Sequence, residues 1–283
     1  MGMLWEEVIF MQATMFQPVG GMDQIPKAFA KSLGDVVLYN APVTEIRRSA
    51  SGVRVGYTHE GQTHEVHADY CICALPLPSM QTIPNDFTKP VQNVIANAVY
   101  GHSYKIAWES RRFWEQDYGI YGGLEFLEQG CSPIWFPSGG TFSPRGVFVS
   151  GYADEAQTGF EKLTLPEKLQ ESRKAIEKLH PGHSQEMQKP IYVGWGRVPY
   201  QGGSWLNSYG PLPPGATMQP AVSIGQPALG PGYEVLIEPD GPIYFAGDHV
   251  SRLIAWQEGA AQSAIRVVQQ ISDRVKVAKG ARG

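Results

Sequence analysis

The clearest hydrophobic pattern in the chain lies near its end. Ile243-Tyr244-Phe245-Ala246 is a short apolar run of strand type, opened by Asp240-Gly241 and closed by Gly247-Asp248. From Trp256 the spacing becomes helical, with Gly259, Ala260, Ser263, Ala264, Val267, Val268 and Ile271 on one broad face. The start of that face carries almost no side-chain bulk, so a flat ligand or another backbone can come close to the first amides. Those amides have no partner within a helix, and the macrodipole makes them a seat for negative charge. Gly247-Asp248 stands at the carboxyl end of a strand, where open α/β sheets bind ligands. The spacing alone fits equally a βα unit whose helix is simply packed tightly.

The same patterning predicts further elements. Asp23 caps a helix with Pro26 in its first turn and Ile25, Phe29 and Leu33 on one face, and Gly34 ends it. Val36–Tyr39 predicts a short buried strand. Residues 43–74 read as a meander: Val53, Val55 and Tyr57 alternate, Glu60-Gly61-Gln62 turns, and a polar return strand enters the apolar run Tyr70–Leu75. In Ser103–Trp108, alternation puts Tyr104, Ile106 and Trp108 on one side and Lys105 on the other, between Ser103 and Ala107. A lysine so placed is either an edge-strand gatekeeper or a functional group. Thr164 and Glu167 form a capping box for a helix running to about Leu179, with Leu165, Leu169, Ile176 and Leu179 inward and a solvated charged face. Trp195, Tyr200 and Trp205 gather around Gly202-Gly203, and 210–232 is a long loop rich in Pro and Gly. Residues 1–18 are apolar and uncapped, like the tail of a segment that began earlier.

Composition narrows the classes. A chain of 283 residues can bury one large core or two interleaved ones. With 23 Lys+Arg against 27 Asp+Glu, the net charge of −4 leaves no basic footprint for nucleic acid. No apolar run reaches membrane-spanning length, and the opening MGMLWEEVIF is unlike a secretory signal. Cys71 and Cys73 fall inside an apolar run and read as buried thiols, which fits a reducing, cytoplasmic setting. His59, His64 and His67 crowd one hairpin turn, but no Cys or paired carboxylate completes a metal-ligand set. The absence of G-x-S-x-G counts against a hydrolase.

Six segments in order carry more: PVGGMDQIPKAFAKSLG, PVTEI, ADYCICALP, SYKIAWESRRFWEQDYGIYGG, IWFPS and YFAGDHVSRLIAWQEGA. The ordered set resembles the flavin amine oxidases, and within them is most similar to the L-amino acid oxidases. The resemblance implies a mixed α/β (α+β) fold, part of an FAD-binding Rossmann-like domain with an interleaved substrate domain. It divides the chain into a helical substrate-side segment (1–18), FAD-binding parts (19–76 and 238–283) and a substrate-binding domain (77–237). It gives Val43 the position whose backbone meets the FAD adenine, and Gly247 and Asp248 the turn beside the ribityl–diphosphate part, with Asp shorter than the usual Glu. Trp256, Gln257, Gly259 and Ala260 match the turn and helix start against the flavin ring. Lys105 matches the lysine that holds a water near flavin N5, and the carbonyl of Ala255 the acceptor of the substrate amine. Trp135, Phe136, Trp195 and Trp256 are the expected aromatic walls.

The activity implied is oxidation of an L-amino acid, with O2 as final acceptor, to a keto acid, ammonia and hydrogen peroxide. Two departures stand beside it. Trp135 and Phe136 lack the phenol that relatives use on the substrate carboxylate, which leaves a polyamine or monoamine oxidase as the alternative. The G-x-G-x-x-G dinucleotide fingerprint and the N-terminal arginine of the family are absent from the sequence. The chain therefore reads as a C-terminal portion, served by an N-terminal partner chain or a homo-oligomer, or else as a fragment without catalysis.

Overall fold

The computed structural model describes residues 16–128, 130–210 and 231–280. Most of the expected 1–18 tail and of the 210–232 loop lies outside them. In chain order the elements are α1 (Gln24–Leu33), β1 (Val43–Ser49), β2 (Gly52–His59), β3 (Gln62–Ala68), β4 (Cys71–Cys73), α2 (Leu77–Thr82), α3 (Lys89–Asn97), β5 (Val99–Tyr100), β6 (Ser103–Arg111), α4 (Phe113–Gln116), β7 (Gly123–Glu125), β8 (Ile134–Phe136), β9 (Arg145–Asp154), α5 (Glu155–Thr158), α6 (Leu165–Leu179), β10 (Gln188–Gly194), β11 (Leu206–Ser208), α7 (Pro231–Ile237), β12 (Ile243–Phe245) and α8 (Gln257–Gly280). The mixed α/β class is as expected. The chain divides into two compact units, one of Met1–Gly34 with His102–Val198 and one of Asp35–Gly101 with Pro199–Gly283.

The first unit is built on an antiparallel sheet in the order β10-β6-β9-β8-β7. As its alternation predicts, β6 buries Tyr104, Ile106 and Trp108, which join Ile134, Phe136 and Phe148 of the neighbouring strands and Ala175 and Ile176 of α6 in one core. Full burial of such side chains contributes about 1.5–3 kcal/mol each. Trp108 also donates its indole N–H to Ser172 Oγ on α6 (2.9 Å), and that hydroxyl lies 2.5 Å from Ser150 Oγ on β9. The capping box of α6 forms as predicted, with Thr164 N donating to Glu167 (2.7 Å).

The inward face of α6 differs from expectation. Leu165 is exposed, whereas Lys168 and Ser172 are buried. Lys168 can turn inward because a partner waits there. Its ammonium lies 3.2 Å from Glu155 and donates to Tyr192 Oη at 2.9 Å, while Arg197 donates to both Glu155 oxygens at 2.9 and 2.6 Å. Tyr192 Oη also donates to Glu155.

The second unit holds the predicted meander β1-β2-β3 and a parallel pair, β4 with β12. The apolar run 70–75 thus aligns beside 243–245. Asp240 ahead of β12 is buried, accepts from Thr88 N (2.9 Å) and lies 2.6 Å from Arg48 Nη2. The expected strand Val36–Tyr39 does not form: a 3-10 turn ends at Val36, and Val36, Leu38 and Tyr39 are exposed. Among the described residues no strand pairs with it, and apolar character alone does not make a strand. α1 has its expected bounds, but Phe29 and Leu33 are exposed, and Asp23 pairs with Lys27 (2.5 Å) without making a side-chain capping bond. On α8 the buried stripe is narrower than the pattern predicts, with Gly259, Ser263 and Val267 buried and Val268 exposed.

Gly259 is small because the chain packs against itself there. A Cβ would lie 2.1 Å from the Leu253 carbonyl oxygen and 2.3 Å from Ser251 Oγ. Of the two occupants the small-residue face admits, another backbone is the one found at this position. Gly259→Ala is therefore expected to destabilise the protein by about 1–3 kcal/mol through overpacking, read as a lowered urea midpoint with unchanged slope.

Glu155→Ala is expected to cost about 3–5 kcal/mol, because it strands the buried Lys168 ammonium; urea unfolding measures it. Burial alone would raise the Glu155 carboxyl, but the bonds from Arg197, Tyr192 and Lys168 outweigh it and hold the group below its ordinary 4.5. A depressed carboxyl stabilises above its unfolded value, so this contribution is complete above about pH 5 and fades as pH falls below 4.5. The unfolding midpoints of wild type and Glu155→Ala should accordingly converge in that acid range.

Candidate active site

Antiparallel register decides what shares a face with Lys105. Residues directly opposite point the same way, so Val193, Lys105 and Tyr152 form one row of the first unit's sheet, and Ile191, Ala107, Val149 and Trp135 the next. This face is the one turned away from the core. The Lys105 ammonium sits 4.6 Å from the centroid of the Tyr152 ring. Lys105 is exposed on this face, and the part of it that its neighbours cover lowers its pKa, with no charged neighbour contributing to the shift. Such an amine is easier to hold neutral, and can then accept a hydrogen bond or a proton at Nζ.

Trp135 shares this face and is 43% exposed. Phe136, one residue on, turns to the opposite side and is fully buried, its ring 5.5 Å from Trp114. Trp195 is half-buried and heads the 3-10 turn Trp195–Arg197 directly after β10.

In the second unit, β12 leads through Gly247, Asp248 and the 3-10 turn Asp248–Val250 towards α8. Gly247 has φ +140°, and a Cβ there would meet the His249 ring at 2.5 Å, so the turn requires glycine. Asp248 accepts the Ala255 N–H at 2.8 Å, and its side chain remains 34% exposed. Ala255 itself has φ +68°, a strained conformation for a non-glycine residue. Trp256 and Ala260 are half-buried and Gln257 is exposed at the helix start. Val43 opens β1 and packs against the core that includes Phe245 and Val250.

Two side chains on α8 hold this turn in shape. Ser263 Oγ accepts the Gly247 N–H (2.8 Å) and donates to Ala260 O (2.8 Å). Arg266 donates to Val250 O (2.8 Å) and Phe245 O (3.2 Å). Sequence reading missed Arg266 and gave Ser263 only a packing role. The available signal was a serine and an arginine three residues apart behind a glycine-bounded strand. Tyr152 was missed as well, because its facing depends on register.

The residues can be tested against an FAD. Asp248 offers a carboxylate to ligand hydroxyls, and the helix start offers amides and a half-buried tryptophan. His249 is buried, its imidazole pushed down to about 4 by burial, and its Nε2 is a buried polar atom with no hydrogen-bond partner among the described residues. A set of this kind fits the polar chain and ring of a flavin. Among the described residues, no group of three or more His, Cys, Asp or Glu could hold a metal. His67 pairs with Glu65 (2.6 Å), and His59 and His64 pack ring to ring. Among the same residues no helix is long and apolar enough to cross a membrane.

The chain is 25% identical over 265 residues to the L-amino-acid oxidase of Echis ocellatus, covering 90% of this chain and 49% of that protein. It is 27% identical over 271 residues to that of Siganus canaliculatus (92% and 48%) and 25% identical over 282 residues to a putative L-amino-acid oxidase of Bacillus subtilis (95% and 55%). The chain thus spans about half the length of the curated relatives it matches. Among solved structures it superposes on putrescine oxidase bound to putrescine (TM-score 0.72, 20% identity, 90% of this chain and 53% of that one). It also superposes on cyclohexylamine oxidase from Brevibacterium oxydans (TM-score 0.71, 18% identity, 91% and 53%). The family model for flavin containing amine oxidoreductase matches residues 5–272, and the chain belongs to that family, whose cofactor is FAD.

Proposed function

We propose that the chain forms the substrate-facing and flavin-ring-facing part of an oxidase that deaminates an L-amino acid to a keto acid, ammonia and hydrogen peroxide. The observation that carries this reading is Lys105: a partly desolvated amine on the outward sheet face, the face that also carries Trp135, and without a charged neighbour shifting its pKa, in a chain matched nearly end to end by L-amino-acid oxidases. The first unit would serve the substrate and the second the cofactor. FAD, when bound, supplies the acceptor for the hydride of the substrate α-carbon and passes the electrons on to O2.

The remaining work falls to the chain's own groups. Lys105 Nζ holds a water and exchanges a proton with it, which its lowered pKa favours. The Ala255 carbonyl accepts from the substrate amine and so orients it. In the first unit Trp135 and Trp195 exclude bulk water from the substrate, and in the second Trp256 does so at the cofactor's ring. Asp248, with Gly247, Gln257, Gly259 and Ala260, shapes the cofactor's seat. The phosphate-cradling glycines of the family fingerprint are to be supplied by a segment outside this sequence, in the same polypeptide or in a partner.

A second reading, oxidation of an amine without a carboxylate, is favoured by one observation. Trp135, on the Lys105 face, has no phenol for a carboxylate, and Phe136 is in the core. A peroxidase-coupled assay separates the two, using the chain joined to or mixed with a dinucleotide-binding segment, excess FAD, and either an L-amino acid panel or putrescine and cyclohexylamine. Peroxide with keto acid from L-amino acids is expected. Peroxide from the amines alone would establish the second reading, and rapid turnover by the chain without the added segment would remove the need for it.

In the active preparation, Lys105→Met is expected to slow flavin reduction or reoxidation about 100-fold or more, with the yellow chromophore retained. Stopped-flow absorbance of the two half-reactions checks this, and unchanged rates in both would take Lys105 out of the mechanism.

A further inference from the structure

We propose that Tyr152 is a positioning residue for Lys105: its ring face holds the Lys105 ammonium at the outward sheet face, and a β-bulge at Ser150 is the device that brings the two together. The inference rests on the role given to Lys105 above and goes further in naming what fixes that side chain.

From Arg111↔Arg145 to Ala107↔Val149 the two strands pair in step, and from Ile106↔Gly151 to Ser103↔Asp154 they pair in step again, with Ser150 as the extra residue between. Were Ser150 instead paired in step, opposite Ile106, Lys105 would face Gly151 and Tyr152 would stand opposite Tyr104. Opposite residues share a face, so Tyr152 would then point into the core and Lys105 would have no side chain beside it on β9. The bulge exchanges those outcomes, a use of bulges known for re-aiming side chains. It is stable because its polar group is satisfied inside: Ser150 Oγ lies 2.5 Å from Ser172 Oγ and 3.4 Å from Ile106 O.

The contact itself has the chemistry the position needs. Partial burial disfavours the Lys105 charge, and the neighbour on the other strand, Val193, is apolar. A tyrosine face 4.6 Å from the ammonium offsets part of that cost. The ring therefore biases Lys105 towards β9, and the interaction belongs to the ring, so phenylalanine should replace tyrosine and leucine should not.

The test uses the full chain and does not depend on turnover. Acetylation of Lys105 by an N-hydroxysuccinimide ester is followed by peptide mass spectrometry against the exposed Lys276 in the same sample. Tyr152→Leu should raise the relative rate about 2- to 5-fold, the range a cation–π contact of this kind predicts, and Tyr152→Phe should keep the wild-type rate. An unchanged rate in Tyr152→Leu, or a Phe variant behaving like Leu, overturns the proposal.

Should Tyr152→Leu fail to fold, reductive 13C-methylation of the wild-type chain decides. The Lys105 signal, identified by its loss in Lys105→Arg, should be ring-shifted upfield of Lys276, and coincidence with Lys276 overturns the proposal. In the peroxide assay, Tyr152→Leu should add no further loss on a Lys105→Met background, whereas an additive loss means that Tyr152 acts by itself and overturns its positioning role. If Lys105→Met leaves both half-reactions unchanged while acetylation follows expectation, the reading of Lys105 fails and the positioning by Tyr152 stands.

Discussion

Burial of Tyr104, Ile106 and Trp108 is the constraint on which the first unit's chemistry depends. Successive residues of a strand point to opposite faces. Once these three are committed to the core, Lys105 and Ala107 must face the other way. The commitment is firm because the Trp108 indole is hydrogen-bonded to Ser172 of α6, and a one-residue slip would break that bond and expose the core set together. The same Ser172 hydroxyl meets Ser150, so the helix that covers the core also anchors the bulge that resets β9. The outward face is specified from beneath.

The second unit solves a similar problem differently. A short parallel strand has to end in a turn that presents backbone and a carboxylate rather than bulk. Gly247 permits the turn, Ser263 and Arg266 tie its N–H and carbonyl groups to α8, and Gly259 lets the 251–253 segment lie on the helix. The helix start is thus joined to the strand by side chain–backbone bonds as well as by the connecting chain. Asp248 contributes to both structure and surface, since one of its oxygens fixes Ala255 while the side chain stays partly exposed.

How much of this was legible follows from the range of the interactions involved. The alternation of β6, the capping box of α6 and the strand–helix order of 243–280 are local patterns, and each formed as read. Of the meander expected over 43–74, the part 43–68 formed and Cys71–Cys73 joined β12 instead. Where a partner distant in sequence decides, the local pattern misled. Lys168 looks solvated until Glu155 and Tyr192 are brought beneath it. Val36–Tyr39 looks like a strand but lacks a pairing strand among the described residues. Trp135 and Phe136 look like two walls of one site, yet adjacent strand residues cannot share a face. Tyr152 was invisible because a single inserted residue, Ser150, decides its direction, and nothing in the local sequence marks a bulge.

The balance of energies also explains why such a face can vary in chemistry without losing its frame. A cation–π contact at a partly exposed site contributes about 0.5–1 kcal/mol, whereas each fully buried core side chain contributes about 1.5–3 kcal/mol. The core face of the sheet holds Tyr104, Ile106, Trp108, Ile134, Phe136 and Phe148, all close to fully buried. In the outward row of Val193, Lys105 and Tyr152, the contact between Lys105 and Tyr152 is of the weaker kind. Substitutions on the outward row can therefore change polarity, charge and the placing of one amine at little cost to folding. Equivalent changes one residue along the strand would dismantle the core. The sheet thus separates what stabilises the unit from the face that carries Lys105, Trp135 and Tyr152.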